Sequence, residues 1–453
     1  MIGISKLYCQ AVETSDSLRY PPAPSTAPPQ PSARLPARLP DIAIAAPTSD
    51  PQAARLDPST AWPSPLFLPA ICRPMDDPTA PAARTALPAP RHGAARTGPV
   101  VVWNCTARCN LRCVHCYSSS SDQPGRGELT TRQGIAVLED LARCGCPVVL
   151  FSGGEPLLRE DLSQLVAAAT SLGLRAVLST NGTLLNWPAA LRLSRAGLTY
   201  AGVSLDGIGQ VHDRFRGRDG AYEVALAGLR MAQRAGIRVG LRLTITRHNV
   251  HQLDAVFDLL GREQVGRVCF YHLVYAGRGR SMMADDLDHT ATRAAVDRII
   301  DRTADLHRRG RPVQVLTVDN HADGPYLYLR MLRENHPRAE GALELLRRNG
   351  GNASGQRIAC IGWDGSVHPD QFWRHASVGN VTRERFGRIW CDEPGPLLTA
   401  LRQRRSRLHG RCSRCRFLDA CGGNLRVRAE SAGDLWGDDP ACYLSDSEIA
   451  LEP

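Results

Sequence analysis

The chain has 453 residues, 43% of them hydrophobic, and a formal net charge of +10 from 55 Lys and Arg against 45 Asp and Glu. This length and apolar content provide for two or three domains with a large core, which excludes a small or wholly disordered chain. The longest apolar runs reach only about eight residues and the first residues lack a secretory signal, so we expect a cytoplasmic protein with no membrane contact.

The excess of positive charge is carried by arginine, since Lys6 is the only lysine. A base-composition bias of the genome explains this preference. A site for an anionic substrate is the other explanation, because guanidinium groups bind carboxylates bidentately. Composition alone does not distinguish the two explanations.

Residues 1–98 are rich in Pro and Ala, with stretches such as YPPAPSTAPPQPSARLPARLP. Proline lacks the backbone N–H group that helices and sheets use. We therefore expect a disordered Pro/Ala-rich extension over these residues.

Residues 99–315 alternate between strand and helix patterns. The strand candidates are GPVVVWNC, PVVLFSGGE, RAVLSTNG, YAGVSLDG, RVGLRLTIT and RVCFYHLVYAG, with amphipathic runs such as TTRQGIAVLEDLARCG between them. Six β/α units in succession predict a parallel sheet, open or curled into a partial barrel. Ligands gather at the C-terminal ends of such strands, where the chain places its unusual motifs.

Three cysteines follow the first predicted strand, at Cys109, Cys113 and Cys116 within CNLRCVHC. Disulfides require pairs and a structural zinc has four ligands, whereas an iron–sulfur cube held by three thiolates keeps one iron free for a small molecule. A zinc knuckle with Cys105 as fourth ligand is the alternative. The Cys-x3-Cys-x2-Cys spacing resembles the signature of the radical SAM superfamily. That resemblance implies a partial (β/α)6 barrel, a 4Fe-4S cluster, bound S-adenosyl-L-methionine (SAM) and a 5′-deoxyadenosyl radical.

The resemblance also implies a set of SAM contacts at the strand ends. In the motif SGGEP, close backbone approach requires glycine, and Glu155 accepts a hydrogen bond from the methionine ammonium. Asp206 has a second interpretation, as a residue that caps a turn. The implied cofactor-binding residues are Tyr117 beside the adenine, Ser152, Gly153, Gly154, Glu155 and Pro156 of the motif, Thr180 and Asn181 near the ribose, and Ser204 and Asp206 near the methionine carboxylate or the ribose.

Residues 316–453 carry a second group of cysteines, Cys412, Cys415, Cys421 and Cys442. Four thiolates suit a closed cluster or a zinc ribbon. Beside the first motif they resemble the SPASM or Twitch extension of radical SAM enzymes, an α+β unit with auxiliary 4Fe-4S clusters. Leu425, and Asp370 in the predicted hairpin IGWDGSVHPDQ, replace two cysteines of that pattern, which favours a single auxiliary cluster. Whether Cys105 or Cys360 binds a cluster is left open.

Several segments, among them RFRGRDGAYEVALAGLRMAQRAGIRVGLRLTITRHN, YHLVYAGRG and DACGGNLRVRA, resemble the NirJ family of heme d1 biosynthesis and its tetrapyrrole-modifying relatives. The resemblance implies that the deoxyadenosyl radical removes propionate side chains from didecarboxysiroheme. It also implies an anionic tetrapyrrole substrate, an external electron donor of flavodoxin or ferredoxin type, and other heme d1 synthesis enzymes as partners.

Two sets of side chains are predicted to serve that substrate. The histidines His272 and His321 are candidate catalytic residues, as ligands of the substrate iron or as proton carriers. The arginines at or just after strand ends form a candidate carboxylate clamp: Arg214, Arg216, Arg242, Arg247, Arg278 and Arg280.

Three alternatives stay open. One is a related radical SAM decarboxylase of heme synthesis. The second is a SPASM enzyme that matures a peptide, although the proline-rich N-terminus does not suit a leader-binding domain. The third is a basic zinc protein that binds nucleic acid, but the run LRQRRSRLHGRCSRCR has no aromatic residue until Phe417, so we expect no nucleic-acid partner.

Overall fold

The structure is a computed structural model that describes residues 2–3 and 98–450. Its strands are β1 (Ile2–Gly3), β2 (Val100–Thr106), β3 (Val148–Gly153), β4 (Arg175–Thr180), β5 (Tyr200–Ser204), β6 (Arg238–Ile245), β7 (Arg267–His272), β8 (Gln314–Val318), β9 (Ile358–Ile361), β10 (Ser366–His368) and β11 (Gly379–Asn380). Its α-helices are α1 (Thr131–Arg143), α2 (Leu162–Ser171), α3 (Trp187–Arg195), α4 (Gln210–Arg216), α5 (Ala221–Arg234), α6 (Leu253–Arg262), α7 (His289–Arg308), α8 (Asp323–Arg333), α9 (Ala339–Asn349), α10 (Pro396–Arg402), α11 (Leu418–Cys421), α12 (Arg426–Ser431) and α13 (Asp446–Ile449).

The predicted disordered extension lies outside the described residues, except for its two ends. At its start Ile2–Gly3 forms β1, which pairs antiparallel with β8.

All strands belong to one sheet with the order β1-β8-β7-β6-β5-β4-β3-β2-β9-β10-β11. Strands β2 to β8 run parallel in chain order, each beside the next. The prediction of successive β/α units curled into a partial barrel is confirmed, and the six predicted strands are β2 to β7. The structure adds a seventh parallel strand, β8, whose five residues follow the 20-residue helix α7.

Strand β2 shows why these segments form a sheet that is buried on both faces. Every residue of Val100–Thr106 is buried, as the unbroken run VVVWNCT indicates. Trp103 and Cys105 pack against the helices of the large outer core, whereas Val102 packs with Leu150 and Cys360 in a second cluster. The sheet therefore has a helix-covered face and an inner face, and the inner face surrounds the site.

The C-terminal extension continues the same sheet. Strand β9 pairs parallel with β2, with Val102 opposite Cys360, and the predicted hairpin is formed by β9 and β10. The expected start of this extension at residue 316 falls inside β8, a strand of the barrel sheet. In the described parts of the chain, no helix is both long and apolar enough to cross a membrane.

Candidate active site

A cavity lies at the C-terminal ends of the parallel strands and is lined by loops from the barrel and from the extension. Of the residues predicted to bind cluster, SAM or substrate, it brings together Cys109, Cys113, Cys116, Tyr117, Ser152, Gly153, Gly154, Thr180, Asn181, Ser204, Asp206, Arg216, Arg242, His272 and Arg278. Glu155, Pro156 and His321 do not line it, and the second cysteine group lies elsewhere. Most of the predicted motifs thus converge on one space.

The loop after β2 holds the first three cysteines close together. Their side chains form a small cluster with Leu111, and burial raises the pKa of Cys109 to about 12. Polar hydrogens point at the sulfurs: Arg216 Nη1 donates to Cys113 Sγ at 3.4 Å, and Asn181 Nδ2 lies 4.0 Å from Cys109 Sγ. Three soft thiols on one cavity wall, with N–H groups directed at them, fit a cluster that keeps one iron open.

Arg278 fixes the shape of the same loop. Its guanidinium donates from Nε to the Cys113 carbonyl and from Nη1 to the Ser120 carbonyl, both at 2.8 Å. Arg278 lines the cavity, but these bonds commit it to the protein.

The two glycines of SGGEP lie against the start of that loop. A Cβ atom on Gly154 would lie 2.1 Å from the Arg108 carbonyl oxygen, and one on Gly153, at φ +133°, would lie 2.4 Å from that of Thr106. Contacts this short have no room for a side chain, so both positions require glycine. The close approach expected for this motif is therefore an approach to the cysteine loop.

Glu155 faces the end of β4 instead of the cavity. Its carboxylate accepts from Thr180 Oγ1 and from the Asn181 N–H, both at 2.8 Å, and from the Leu157 N–H at 3.1 Å. Burial raises the pKa of Glu155 to about 7, against the effect of these bonds. In this arrangement Glu155 positions Thr180 and Asn181, and its contact with SAM stays a prediction. Pro156 begins a short 3-10 helix beyond it.

Asp206, at the end of β5, is engaged on every side. It forms a short ion pair with Arg216, accepts from the Thr244 N–H at 2.8 Å and lies 3.6 Å from His115 Nε2. Burial alone would raise the pKa of Asp206, but the Arg216 cation keeps it below its usual range. Asp206 thus links the barrel wall to Arg216 and, through it, to Cys113.

Tyr117 extends from the cysteine loop into the barrel. Its hydroxyl donates to Asn104 Oδ1 at 2.9 Å and pairs with Ser152 Oγ at 3.1 Å. Its ring meets Phe372 of the extension edge-on, with centroids 5.4 Å apart. Both rings line the cavity, so an aromatic wall is present where the adenine contact was expected.

Arg242, on β6, is the cavity-lining arginine that has neither a carboxylate nor a carbonyl partner among the described residues. Arg216 is paired with Asp206, and Arg278 is bound to carbonyls, whereas the Arg242 guanidinium lies 4.8 Å over the Tyr271 ring. Its stem passes Gly202 of β5, where a Cβ atom would lie 2.7 Å from Arg242 Cδ. The other members of the predicted clamp, Arg214, Arg247 and Arg280, do not line the cavity.

His272 is held by residues of the extension. Its Nε2 lies 2.9 Å from Asp323 Oδ2, and Asp323 Oδ1 accepts from the Tyr443 hydroxyl at 2.7 Å. Burial alone would lower the pKa of His272, but the Asp323 carboxylate raises it above its ordinary value. His321 is placed differently: it lies outside the cavity lining, and burial lowers its pKa well below the ordinary value.

Asp319 is a cavity residue that the sequence did not reveal. It follows β8 at φ +68°, is 9% exposed, and no group among the described residues donates a hydrogen bond to its carboxyl. Burial, followed by the nearby Asp370, raises its pKa to about 7. A non-glycine residue at positive φ occurs often at functional sites, but sequence spacing does not indicate it.

The second group of cysteines lies together in the extension. Burial raises the pKa of Cys421 well above its usual value, and the neighbouring thiols of Cys442, Cys412 and Cys415 raise it further. Four soft thiols in mutual range fit a cluster with no open position. In the described part of the chain, however, no three His, Cys, Asp or Glu side chains converge on the position of a single metal ion.

The two cysteines left open are packed in the protein. The Cys105 thiol donates to the Ser152 carbonyl at 3.3 Å, and Cys360 Sγ accepts from Asn104 Nδ2 at 3.5 Å. Both side chains are fully buried, and neither lines the cavity.

The chain is similar to known protein families and to curated enzymes. The chain matches the family model described as the radical SAM superfamily over residues 103–260 and the SPASM iron–sulfur cluster-binding domain over residues 353–416. It is 47% identical to the Fe-coproporphyrin III synthase of Methanosarcina barkeri over 99% of each chain. It is 45% identical to the pre-heme d1 synthase of Dinoroseobacter shibae over 79% of this chain and 89% of that protein.

Two solved structures share the fold at low sequence identity. SuiB of Streptococcus suis bound to S-adenosylmethionine has a TM-score of 0.61 and 16% identity, covering 77% of this chain and 78% of its own. Native anSMEcpe with bound AdoMet has a TM-score of 0.61 and 17% identity, covering 76% and 93%. At these identities the likeness concerns the fold alone.

Proposed function

Because the chain belongs to the radical SAM family of heme-synthesis enzymes, we propose that it removes carboxyl-bearing side chains from an iron tetrapyrrole. The predicted family and enzyme class are confirmed by the relatives and by both domain matches, and so are the 4Fe-4S clusters and SAM as cofactors. When bound, the cluster at the first three cysteines supplies the electron that cleaves SAM.

Arg242 is the observation that carries the proposal. The Arg242 side chain points into the cavity of a barrel, where an unpaired guanidinium is costly unless a ligand anion meets it. The Arg242 guanidinium lies 4.8 Å over the Tyr271 ring, and a guanidinium in contact with an aromatic ring keeps N–H donors for a carboxylate. An acetate or propionate arm of the substrate supplies this carboxylate, which places the neighbouring C–H bonds beside the SAM cavity.

We further propose didecarboxysiroheme as the substrate and its propionates as the arms removed, which is the reaction implied by the sequence segments quoted above. The identity to pre-heme d1 synthase supports it. An external electron donor of flavodoxin or ferredoxin type completes the reaction.

A second candidate reaction has its own support. The relative named Fe-coproporphyrin III synthase is 47% identical, against 45% for pre-heme d1 synthase, and is matched along 99% of its length. A coproporphyrin keeps four propionates, so this reaction would spare them and remove other acidic arms.

One experiment separates the two reactions. The anaerobically reconstituted full chain is incubated with didecarboxysiroheme, SAM and a reductant, and the tetrapyrrole is analysed by mass spectrometry. Loss of two propionates supports the heme d1 reaction, whereas a product identical to Fe-coproporphyrin III supports the second candidate. SAM cleavage with an unchanged tetrapyrrole would reject both, and a Cys109→Ala variant controls for chemistry outside the cluster.

The role of Arg242 is tested with matched variants. We expect Arg242→Gln to weaken tetrapyrrole binding by roughly tenfold or more, because a charge-assisted hydrogen bond is lost. Arg247→Gln is the control, since Arg247 is exposed and outside the cavity lining. Equal affinities of the two variants would remove the argument from Arg242.

A further inference from the structure

We propose that His272 binds the substrate iron as an axial ligand through Nδ1, and that Asp323 and Tyr443 position it for this bond. The proposal rests on the proposed function, because it requires an iron tetrapyrrole in the cavity.

The two ring nitrogens of His272 have different surroundings. Nε2 lies 2.9 Å from Asp323 Oδ2, whereas no hydrogen bond to Nδ1 is present among residues 98–450. A neutral imidazole whose Nε2–H donates to a carboxylate has its lone pair on Nδ1. His272 lines the cavity, and the proposed bond to iron uses that lone pair.

Asp323 and Tyr443 hold the His272 ring from the side of Nε2. Metal-binding histidines usually donate their other N–H to a carboxylate, which fixes the ring and strengthens it as a ligand. Here that carboxylate is 1% exposed and is itself held by the Tyr443 hydroxyl at 2.7 Å, also buried. A buried chain of three groups that ends at the ring of a cavity-lining histidine matches this pattern.

His272 lies on the strand next to that of Arg242, the residue proposed to bind a substrate carboxylate. Tyr271, over whose ring the Arg242 guanidinium lies, directly precedes His272 on β7, and the strand register pairs Arg242 of β6 with Cys269, three residues before His272. Neighbouring strands therefore offer one group for the iron and one for an acidic arm. Two fixed points of this kind set which arm of the macrocycle faces the SAM end of the cavity.

His321 does not share these features. It lies outside the cavity lining, and no carboxylate among the described residues pairs with its ring. The structure therefore favours His272 over His321 as the iron ligand.

The test is resonance Raman and absorption spectroscopy of the reconstituted full chain with ferrous Fe-coproporphyrin III as the probe, without SAM. We expect a histidine–iron stretching band in the wild type that disappears in His272→Ala and returns when imidazole is added. His251→Ala is the matched control, because His251 is exposed and outside the cavity. Asp323→Asn should keep the band, shift its frequency and weaken binding by roughly tenfold.

Each outcome decides something. A band that persists in His272→Ala, or a wild-type complex without a histidine band, overturns the axial assignment, while side-chain removal in the turnover assay still supports the proposed function. A wild type that neither binds the probe nor modifies any tetrapyrrole rejects the proposed function, and the assignment with it. His272→Gln repeats the test if the alanine variant fails to retain its iron.

Discussion

Arg428 links the C-terminal extension to the wall of the cavity. Its guanidinium is fully buried and binds both oxygens of Asp439, at 2.7 and 3.0 Å. It also donates to the carbonyls of Leu273 and Asp319, both at 2.9 Å, which follow β7 and β8. One side chain therefore holds the two strand ends that carry His272 and Asp319.

We expect Arg428→Met to lower the free energy of unfolding by about 3 kcal/mol. Breaking a buried ion pair costs about 3–5 kcal/mol, because a charge is left without its partner. The lower end applies, since Asp439 keeps hydrogen bonds from the N–H groups of Leu425 and Ala441, both at 2.9 Å. The carbonyls of Leu273 and Asp319 would also lose a hydrogen-bond donor, so we do not expect a loss smaller than this lower end.

The assay is anaerobic urea denaturation of the reconstituted chain, followed by circular dichroism. With a slope of about 3 kcal/mol/M, the transition midpoint should fall by about 1 M. Arg405→Met is the control, because Arg405 pairs with Asp419 at the surface, where both are more than half exposed, and such pairs contribute about 0–1 kcal/mol. Equal, small losses in both variants would refute the reasoning.

Three further predictions concern the cavity and the second cysteine group. Gly202→Ala should displace Arg242, because the added Cβ atom would lie 2.7 Å from Arg242 Cδ. We expect KM for the tetrapyrrole to rise about tenfold, while SAM cleavage in the absence of substrate stays unchanged. An unchanged KM would contradict the placement of Arg242. A Cys412→Ser, Cys415→Ser double variant should lose about half of its iron but keep the electron paramagnetic resonance response to SAM; a lost response would show that the two cysteine groups are not independent. The pKa of Asp319, raised to about 7, means that the folded state holds this proton more tightly than the unfolded state, so wild-type stability should fall as pH rises from about 4 to 7. Asp319→Asn should flatten that decline in denaturation experiments at several pH values, and parallel curves for the two proteins would disprove it.

The sequence predicted those parts of the fold and site that depend on local patterns. Strands β2 to β7 could be predicted because each is an apolar, β-branched run between amphipathic helices. The first three cysteines could be grouped because they share one loop. Residues near a strand end, such as Thr180 and Ser204, could be assigned to the cavity because parallel strands all end on the same side.

Other features depend on contacts between residues that are far apart in the sequence, and no local sequence pattern predicts such contacts. His272 and Asp323 are 51 residues apart, and Asp323 and Tyr443 are 120 apart. The clamp prediction was too broad for the same reason, since only tertiary structure shows that Arg216 is used by Asp206. Strand β8 was missed because five residues after a long helix give too short a pattern to distinguish from a loop.

The pairing of β9 with β2 affects how the protein folds during its synthesis. Val102 and Cys360 are neighbours in the sheet although 258 residues separate them. During synthesis β2 emerges early and its edge stays unpaired until β9 follows, tens of seconds later at about 5–20 residues per second. An exposed apolar edge over that time can pair with other chains. Expression at a lower temperature, which also weakens hydrophobic association, should therefore increase the yield of correctly assembled enzyme.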